Sequence, residues 1–270
     1  MRVAGRIVLV TGAGRGIGRA LCREFARRGA AGLCIVDLNA ESARATAAEF
    51  GERGLGVACD VADEAAVRRA VAAAEAQFGR VDVLVSNAGF GATELDLDAP
   101  LAAPNERWQR MWDVHVMAHV YAARAVLPGM QARGAGCLVN VASAAGLLTQ
   151  VGDAPYSATK HAAVALAESL AIAHGDRGIQ VSVVCPQYVA TAIIGIDEAD
   201  SGAPPAGVLP VDQAACVIAD GIEEGRFLIL THAEVHEFAR RRADDHDRWI
   251  GGMRRVREKL RSGGLFKLKT

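Results

Sequence analysis

The pentad Tyr156-Ser157-Ala158-Thr159-Lys160 carries the sharpest chemical signal in the chain. On a helix, the i,i+4 spacing brings the phenol of Tyr156 and the ammonium of Lys160 to one face. A free phenol titrates near ~10 and is a poor base at neutral pH. Lowering that value by ~3 units takes about 4 kcal/mol, and a cation ~4 Å away in an intermediate dielectric supplies about that much. Lys160 can therefore make Tyr156 a proton carrier, the acid/base needed to interconvert an alcohol and a ketone. Ser143 follows a strand-like run upstream, where its hydroxyl can bond the substrate oxygen. Taken alone, the pentad is equally an ordinary helix start, and its companions in the sequence decide the reading.

The first companion is the loop Thr11-Gly12-Ala13-Gly14-Arg15-Gly16-Ile17-Gly18, set between a strand-like and a helix-like segment. Gly12, Gly14, Gly16 and Gly18 let the backbone turn tightly and approach a pyrophosphate, and the helix that opens at Ile17 offers N–H groups to it. The second is Asp37, with Leu38 beside it, at the end of the second strand. A carboxylate there accepts bonds from ribose hydroxyls and repels a 2′-phosphate, which favours NAD over NADP. Arg15 pulls the other way, since a cation in the glycine loop can meet a phosphate. Asp60-Val61 after the third strand suits an adenine edge, and Asn87-Ala88-Gly89 follows the fourth, where open α/β sheets bind ligands. Each of these is modest alone, because turns also favour Asp, Asn and Gly.

Positioning these groups requires a regular frame. Strand-like runs at 7–11, 33–37, 56–59, 81–86, 137–142, 180–185 and 226–230 alternate with helical segments at 17–28, 41–50, 63–78, 106–133, 156–174 and 211–224. Repeated β-α-β units predict an α/β, Rossmann-type, doubly wound parallel sheet in a three-layer domain. Pro128 is expected to kink or end the helix at 106–133. Residues 186–210 read as a loop rich in Gly and Pro. Residues 1–230 are expected to form the dinucleotide-binding and catalytic domain, and 231–270 a charged helical extension.

The chain has 270 residues, 51% hydrophobic and 23% charged, with a formal net charge of -1. That composition supplies a core and argues against a broad basic surface for nucleic acid or anionic lipid. The run at 6–10 is too short for a signal-peptide core or a membrane span, so the expectation is a cytoplasmic protein with no membrane partner. Six cysteines without CxxC spacing read as buried, reduced thiols. His115/His119 and His232/His236 have i,i+4 spacing, but no third ligand is evident. Packed helical histidines are the simpler reading, and no metal is expected.

Together these residues resemble the short-chain dehydrogenase/reductase family, of the compact single-domain type. The resemblance runs over residues 3–230, with the motifs in family order. It implies hydride transfer to or from a nicotinamide cofactor and a Ser-Tyr-Lys catalytic set. Ser143 would orient the substrate, Tyr156 exchange the proton, and Lys160 also hold the nicotinamide ribose. In Pro186-Gln187-Tyr188-Val189-Ala190-Thr191, Thr191 would contact the nicotinamide carboxamide. Family likeness also implies a homodimer or homotetramer built on the helices at 106–130 and 156–174. Two departures stand out. Where the family has an Asn supporting a water that links Lys to solvent, this chain has His115. Where the family commonly has Gly after the Pro of its sixth strand, this chain has Gln187. His115 is expected to carry part of the proton relay, by holding a water or by shuttling the proton itself.

Three readings compete: an NAD-linked dehydrogenase of a secondary alcohol, a nucleotide-sensing protein that kept the fold and lost turnover, and a different Rossmann enzyme such as a methyl transferase. The intact Ser143, Tyr156 and Lys160 favour the first. The substrate should meet residues 90–107, 144–153 and 187–210. Leu147, Leu148, Val151, Ile193, Ile194 and Ile196 in these segments point to an apolar alcohol or ketone.

Overall fold

The strand Ile7–Thr11 (β1) is buried at all five positions. A strand with no solvent face belongs inside a sheet covered on both sides. The computed structural model, which describes residues 1–91, 95–196 and 204–262, shows that sheet. It joins β1 to Gly32–Asp37 (β2), Gly54–Ala58 (β3), Val83–Ser86 (β4), Gly136–Val141 (β5), Ile179–Val184 (β6) and Leu228–Ile229 (β7). The order is β3-β2-β1-β4-β5-β6-β7, and every pairing is parallel. Leu9 sits level with Cys34 on one side and Leu84 on the other.

Strand alternation divides the apolar residues between two cores. Leu9, Val36, Leu84, Leu138 and Val183 face one cluster, which holds the buried sides of Glu64–Phe78 (α3) and of the helices over Ala118–Ala132 and Ala154–His174. Val8, Val10, Leu33, Ile35, Val85 and Val139 face the other, packed on Gly16–Arg27 (α1), Ala40–Ala48 (α2) and Val211–Glu223 (α8). The three-layer arrangement follows. Arg28, the residue that caps the end of α1, ties this second layer together by pairing with Glu24 at 2.7 Å, Asp220 at 2.7 Å and Glu223 at 3.0 Å.

Between β1 and β4 the chain reverses the side on which it adds strands. That switch point opens a crevice at the carboxyl ends of the strands.

The expected helix at 106–133 forms without a break, but it is not α-helical throughout. Asn105–Trp112 (α4) runs into a π-helical turn at Asp113–Met117, and Ala118–Ala132 (α5) continues beyond it. Pro128 neither ends nor interrupts the hydrogen-bonded helix. It lies on the exposed side, where the carbonyl it leaves unbonded can meet water. The short helix Ala145–Leu148 (α6) was not expected. Ala154–His174 (α7) starts two residues before Tyr156, because Asp153 caps it and Pro155 suits its first turn. The charged tail is two helices, Glu234–Asp244 (α9) and His246–Arg261 (α10), divided where Asp245 turns extended and caps Arg248. The tail docks on α6. Val235, Phe238, Ala239 and Trp249 pack with Ala144, Leu147 and Leu148, and Arg242 donates to the Leu147 carbonyl at 2.9 Å. Arg261 also pairs with Asp98. Among the described residues no helix is long and apolar enough to cross a membrane. Five of the six cysteines are buried, and none forms a disulfide.

Candidate active site

The glycine loop is held from below by its neighbours. Ala13 N–H donates to the Val36 carbonyl at 3.1 Å. The Asn87 side chain donates to the carbonyls of Thr11 at 2.9 Å and Gly12 at 3.1 Å. Thr11 Oγ1 accepts the N–H groups of Asn87 and Ala88 at 3.0 and 3.1 Å. Gly12 has φ +63, and a Cβ there would lie 2.8 Å from Ala88 Cα. A Cβ on Gly18 would lie 2.3 Å from the Gly12 carbonyl oxygen. No side chain fits either place, and the loop backbone stays bare at the switch point. Gly14 N–H donates to Asp37 Oδ2 at 2.9 Å, and Asn39 N–H to Oδ1 at 3.0 Å. Arg15 is exposed at the mouth of this loop, Ile17 reaches into the pocket beyond it, and Leu38 is 67% exposed beside Asp37. These features fit a dinucleotide. The bare loop and the α1 N-terminus suit a pyrophosphate, and an ionised carboxylate with about four acceptor sites keeps two for ribose hydroxyls.

Asp60 is more heavily engaged than its sequence position suggests. Arg110 of α4 donates to both its oxygens at 3.1–3.2 Å, and Ala62 N–H adds a third bond. Val61 is buried beside it.

Beyond the loop, a pocket of about 70 Å³ is bounded by Asn87, Gly89, Ser143, Tyr156, Lys160 and Gln187, with Pro186, Val189, Thr191, Ile193 and Ile194 closing one side. Three elements converge here. Ser143 follows β5, Tyr156 and Lys160 project from α7, and Pro186 follows β6. Ser143 Oγ accepts the Ala145 N–H at 3.1 Å and donates to the Pro186 carbonyl at 3.5 Å. Asp153 fixes the start of α7 by accepting Tyr156 N–H at 3.3 Å, and Arg107 binds its carboxylate at 2.8 Å.

The electrostatics correct one expectation. Tyr156 is not pulled below its ordinary value; burial pushes its phenol up, against a lowering bond from Ser143. Lys160 is buried too, and that brings its ammonium down to about 8. Its Nζ lies 5.5 Å from the Tyr156 ring centre and donates to the Val141 carbonyl at 3.3 Å. Desolvation acts on both partners and outweighs the attraction assumed from spacing alone.

His115 lies in the π-turn, fully buried, with its ring edge-on to Tyr156 at 5.5 Å between centres. Nε2 accepts the Phe90 N–H at 3.2 Å, so the ring proton sits on Nδ1 and is donated to Thr159 Oγ1 at 3.0 Å. Burial first, and the Lys160 charge second, push its pKa down to about 2. Holding a water or shuttling a proton both need a ring nitrogen to spare, and both are committed. The geometry instead makes His115 a clamp between residue 90, the π-turn and the first turn of α7. A Cβ on Gly89 would touch both the His115 ring and Lys160 Nζ at 3.5 Å, so the two side chains flank it. His119, one turn on, is buried with neither ring nitrogen hydrogen-bonded, and its pKa falls to about 3, by burial and then by Lys160. His232 is buried and bonded to Thr231 at 2.8 Å, whereas His236 is exposed. Among the described residues no group of three His, Cys, Asp or Glu side chains can hold a metal.

Phe90, Ile193 and Ile194 line the pocket as expected of substrate contacts. Leu147 and Leu148 do not; they are taken up by packing against the C-terminal helices. Val151 and Ile196 also lie outside the lining. The expected substrate segments include residues 92–94 and 197–203, which fall outside the described residues. Sequence reasoning missed Thr11, Thr159, Arg110 and Asp153 as supports. Only Asp153 had a local signal, a helix cap just before Tyr156. The others matter through contacts made far along the chain.

Comparison with known proteins agrees with this geometry. The family model for short chain dehydrogenase matches residues 6–200. The epidermal retinol dehydrogenase 2 of Homo sapiens is 35% identical over 198 residues, covering 71% of this chain and 62% of that protein. The chain thus spans under two thirds of that relative. The 1-deoxy-11-beta-hydroxypentalenate dehydrogenase of Streptomyces exfoliatus is 33% identical over 250 residues, covering 91% and 90%. A crystal structure of a short chain dehydrogenase/reductase from Burkholderia phymatum, in complex with NAD, superposes with a TM-score of 0.81 at 30% identity, covering 92% of this chain and 96% of that one. The chain belongs to the short-chain dehydrogenase/reductase family, and its fold is the Rossmann-type sheet of that family.

Proposed function

We propose that this protein interconverts a secondary alcohol and a ketone, with NAD preferred over NADP and Tyr156 as the acid/base. The observation that carries the reading is the convergence of Ser143, Tyr156 and Lys160 on one pocket beside the bare glycine loop. Residues 12–18 would hold the pyrophosphate, Asp37 the adenosine ribose, Asp60 and Val61 the adenine side, and Asn87, Ala88 and Gly89 the floor of the crevice. Lys160 would hold the nicotinamide ribose, and Pro186, Val189 and Thr191 the carboxamide end. The cofactor supplies or accepts the hydride. Ser143 holds the substrate oxygen. In reduction Tyr156 gives its proton to the ketone oxygen, and burial keeps that proton in place at neutral pH. In oxidation the same oxygen takes the alcohol proton, and the positive charge of Lys160 stabilises the phenolate that precedes this step. His115 and Thr159 keep the first turn of α7 in register with residue 90.

NAD preference is supported by the two acceptor sites left on Asp37. Trp112 on α4 and Ile172 on α7 are 43% and 85% exposed, which supports a homodimer or homotetramer on those helices; light scattering that finds a monomer excludes it. The decisive experiment is Tyr156→Phe, which keeps the ring and removes the proton. Turnover should fall by about a thousandfold while NADH affinity, read by fluorescence, is retained. Turnover near that of the parent, with the fold intact, places the acid/base elsewhere.

A further inference from the structure

Gln187 lines the pocket that contains Ser143 and Tyr156, yet its side-chain oxygen Oε1 is buried with no hydrogen-bond partner. A buried carbonyl without a donor is costly, and native structures rarely leave one so without a use. The polar side chains around the pocket direct their hydrogen bonds elsewhere. Ser143 bonds Ala145 and Pro186, Lys160 bonds Val141, and Thr191 bonds the Val189 carbonyl at 3.2 Å. None supplies the missing donor.

The position of Gln187 in the backbone tells which part of the pocket the oxygen serves. Pro186, immediately before it, accepts the Ala144 N–H at 2.7 Å and the Ser143 hydroxyl at 3.5 Å. Gln187 therefore emerges at the point where the chain anchors Ser143, the residue placed on the substrate oxygen. Thr191 stands four residues further along the same loop. The acceptor belongs to the neighbourhood of the reacting carbon, and the ligand that satisfies it must present an O–H or N–H there.

We infer that Gln187 is a specificity-determining residue that accepts a hydrogen bond from a second donor on the substrate, next to the carbon that is oxidised or reduced. The substrate class is then a vicinal diol or an α-hydroxy ketone, with the apolar remainder against Phe90, Ile193 and Ile194. This rests on the alcohol–ketone reading above. It narrows the expectation of a purely apolar substrate, since a pocket that rewards a donor leaves Oε1 unpaired with an analogue that lacks one.

The test compares cyclohexanol with trans-1,2-cyclohexanediol. Turnover is followed with NAD, and binding of each alcohol to the enzyme–NADH complex is followed by calorimetry. The parent should favour the diol by about tenfold in kcat/KM and in affinity. Gln187→Met keeps the length and loses the acceptor; it should bring the diol down to the level of cyclohexanol and leave cyclohexanol within twofold. Gln187→Glu keeps an acceptor and should keep the preference. Equal values for the two alcohols in the parent, or an unchanged preference in Gln187→Met, overturn the inference. Weakened NADH binding in Gln187→Met without any change in alcohol discrimination also overturns it, and assigns the oxygen to the cofactor carboxamide. Turnover of both alcohols without preference sinks the inference and leaves the alcohol–ketone reading standing. Diol-selective binding without turnover does the reverse.

Discussion

At the carboxyl ends of β1, β2 and β4, the surface offered to a ligand is bare backbone, pinned by short side chains of the neighbouring strand ends. The glycine loop is fixed by one main-chain bond to Val36, by the Asn87 side-chain amide on two carbonyls and by the Thr11 hydroxyl on two N–H groups. At the carboxyl ends of β5 and β6 the holding falls to side chains brought from distant segments. His115 joins Phe90 to Thr159, Arg107 joins α4 to Asp153, and the C-terminal helices cover Leu147 and Leu148. A backbone-built site admits few substitutions and suits a ligand that does not vary. A site built from side chains can be refitted residue by residue around the same Ser143, Tyr156 and Lys160, as Gln187 illustrates.

The largest test of this contrast is Gly18→Ala. The added methyl would lie 2.3 Å from a backbone oxygen and 2.7 Å from the Asn87 amide nitrogen, with no flexible neighbour to give way. NADH affinity, measured by fluorescence titration, should drop about a hundredfold, the upper end of an overpacking cost of about 3 kcal/mol. A change within twofold breaks the claim that backbone controls this side.

Next comes His119, behind the side-chain-built half. In the folded chain its pKa is held near 3, against 6.5 for a free imidazole. Between those values the unfolded chain binds a proton that the folded chain refuses, so stability falls as pH drops from 6.5 toward 3. His119→Leu removes this contribution and leaves that of His115. The stability lost between pH 7 and pH 5, measured by urea unfolding, should shrink by about 2 kcal/mol. An unchanged acid sensitivity would show that the buried imidazole is hydrated well enough to titrate normally.

The smallest effect is expected at Asp37, the side chain placed on the adenosine ribose. Asp37→Ala should cost about tenfold in kcat/KM with NAD and little with NADP. Equal or better efficiency with NADP in the parent enzyme would remove the basis of the NAD preference.

The sheet and its loop were legible because glycine spacing and continuous apolar runs act locally. Gly12 and Gly18 stand where no Cβ fits, and Val83, Leu84 and Val85 are buried because their strand has no wet face. The pentad at 156–160 was legible for the same reason, since helical spacing alone puts Tyr156 beside Lys160. What spacing does not carry is desolvation. The raised phenol and the lowered ammonium arise from everything packed around α7, and no sequence interval encodes that. The hydrogen bonds of His115 were hidden likewise, because residues 90 and 159 meet it only once the π-turn has formed. Leu147 and Leu148 read as substrate contacts because they sit near Ser143 in sequence; the tail that claims them lies some ninety residues later.

The π-turn at Asp113–Met117 also sets how this region can evolve. A π-turn holds one residue more than an α-turn, so α4 and α5 run out of phase by about 100°, the angle a single residue occupies. Loss of one residue there would fuse the two helices into one regular α-helix. Everything upstream would then rotate by that angle about its axis. Met111, fully buried against Phe90, Ala145 and Tyr156, would swing away from the phenol, and Arg110 would leave Asp60. Side chains in the segment can be exchanged one at a time, but its length is under a stricter constraint than its composition. In natural variants and engineered libraries alike, insertions and deletions should be scarcer across 113–117 than substitutions are.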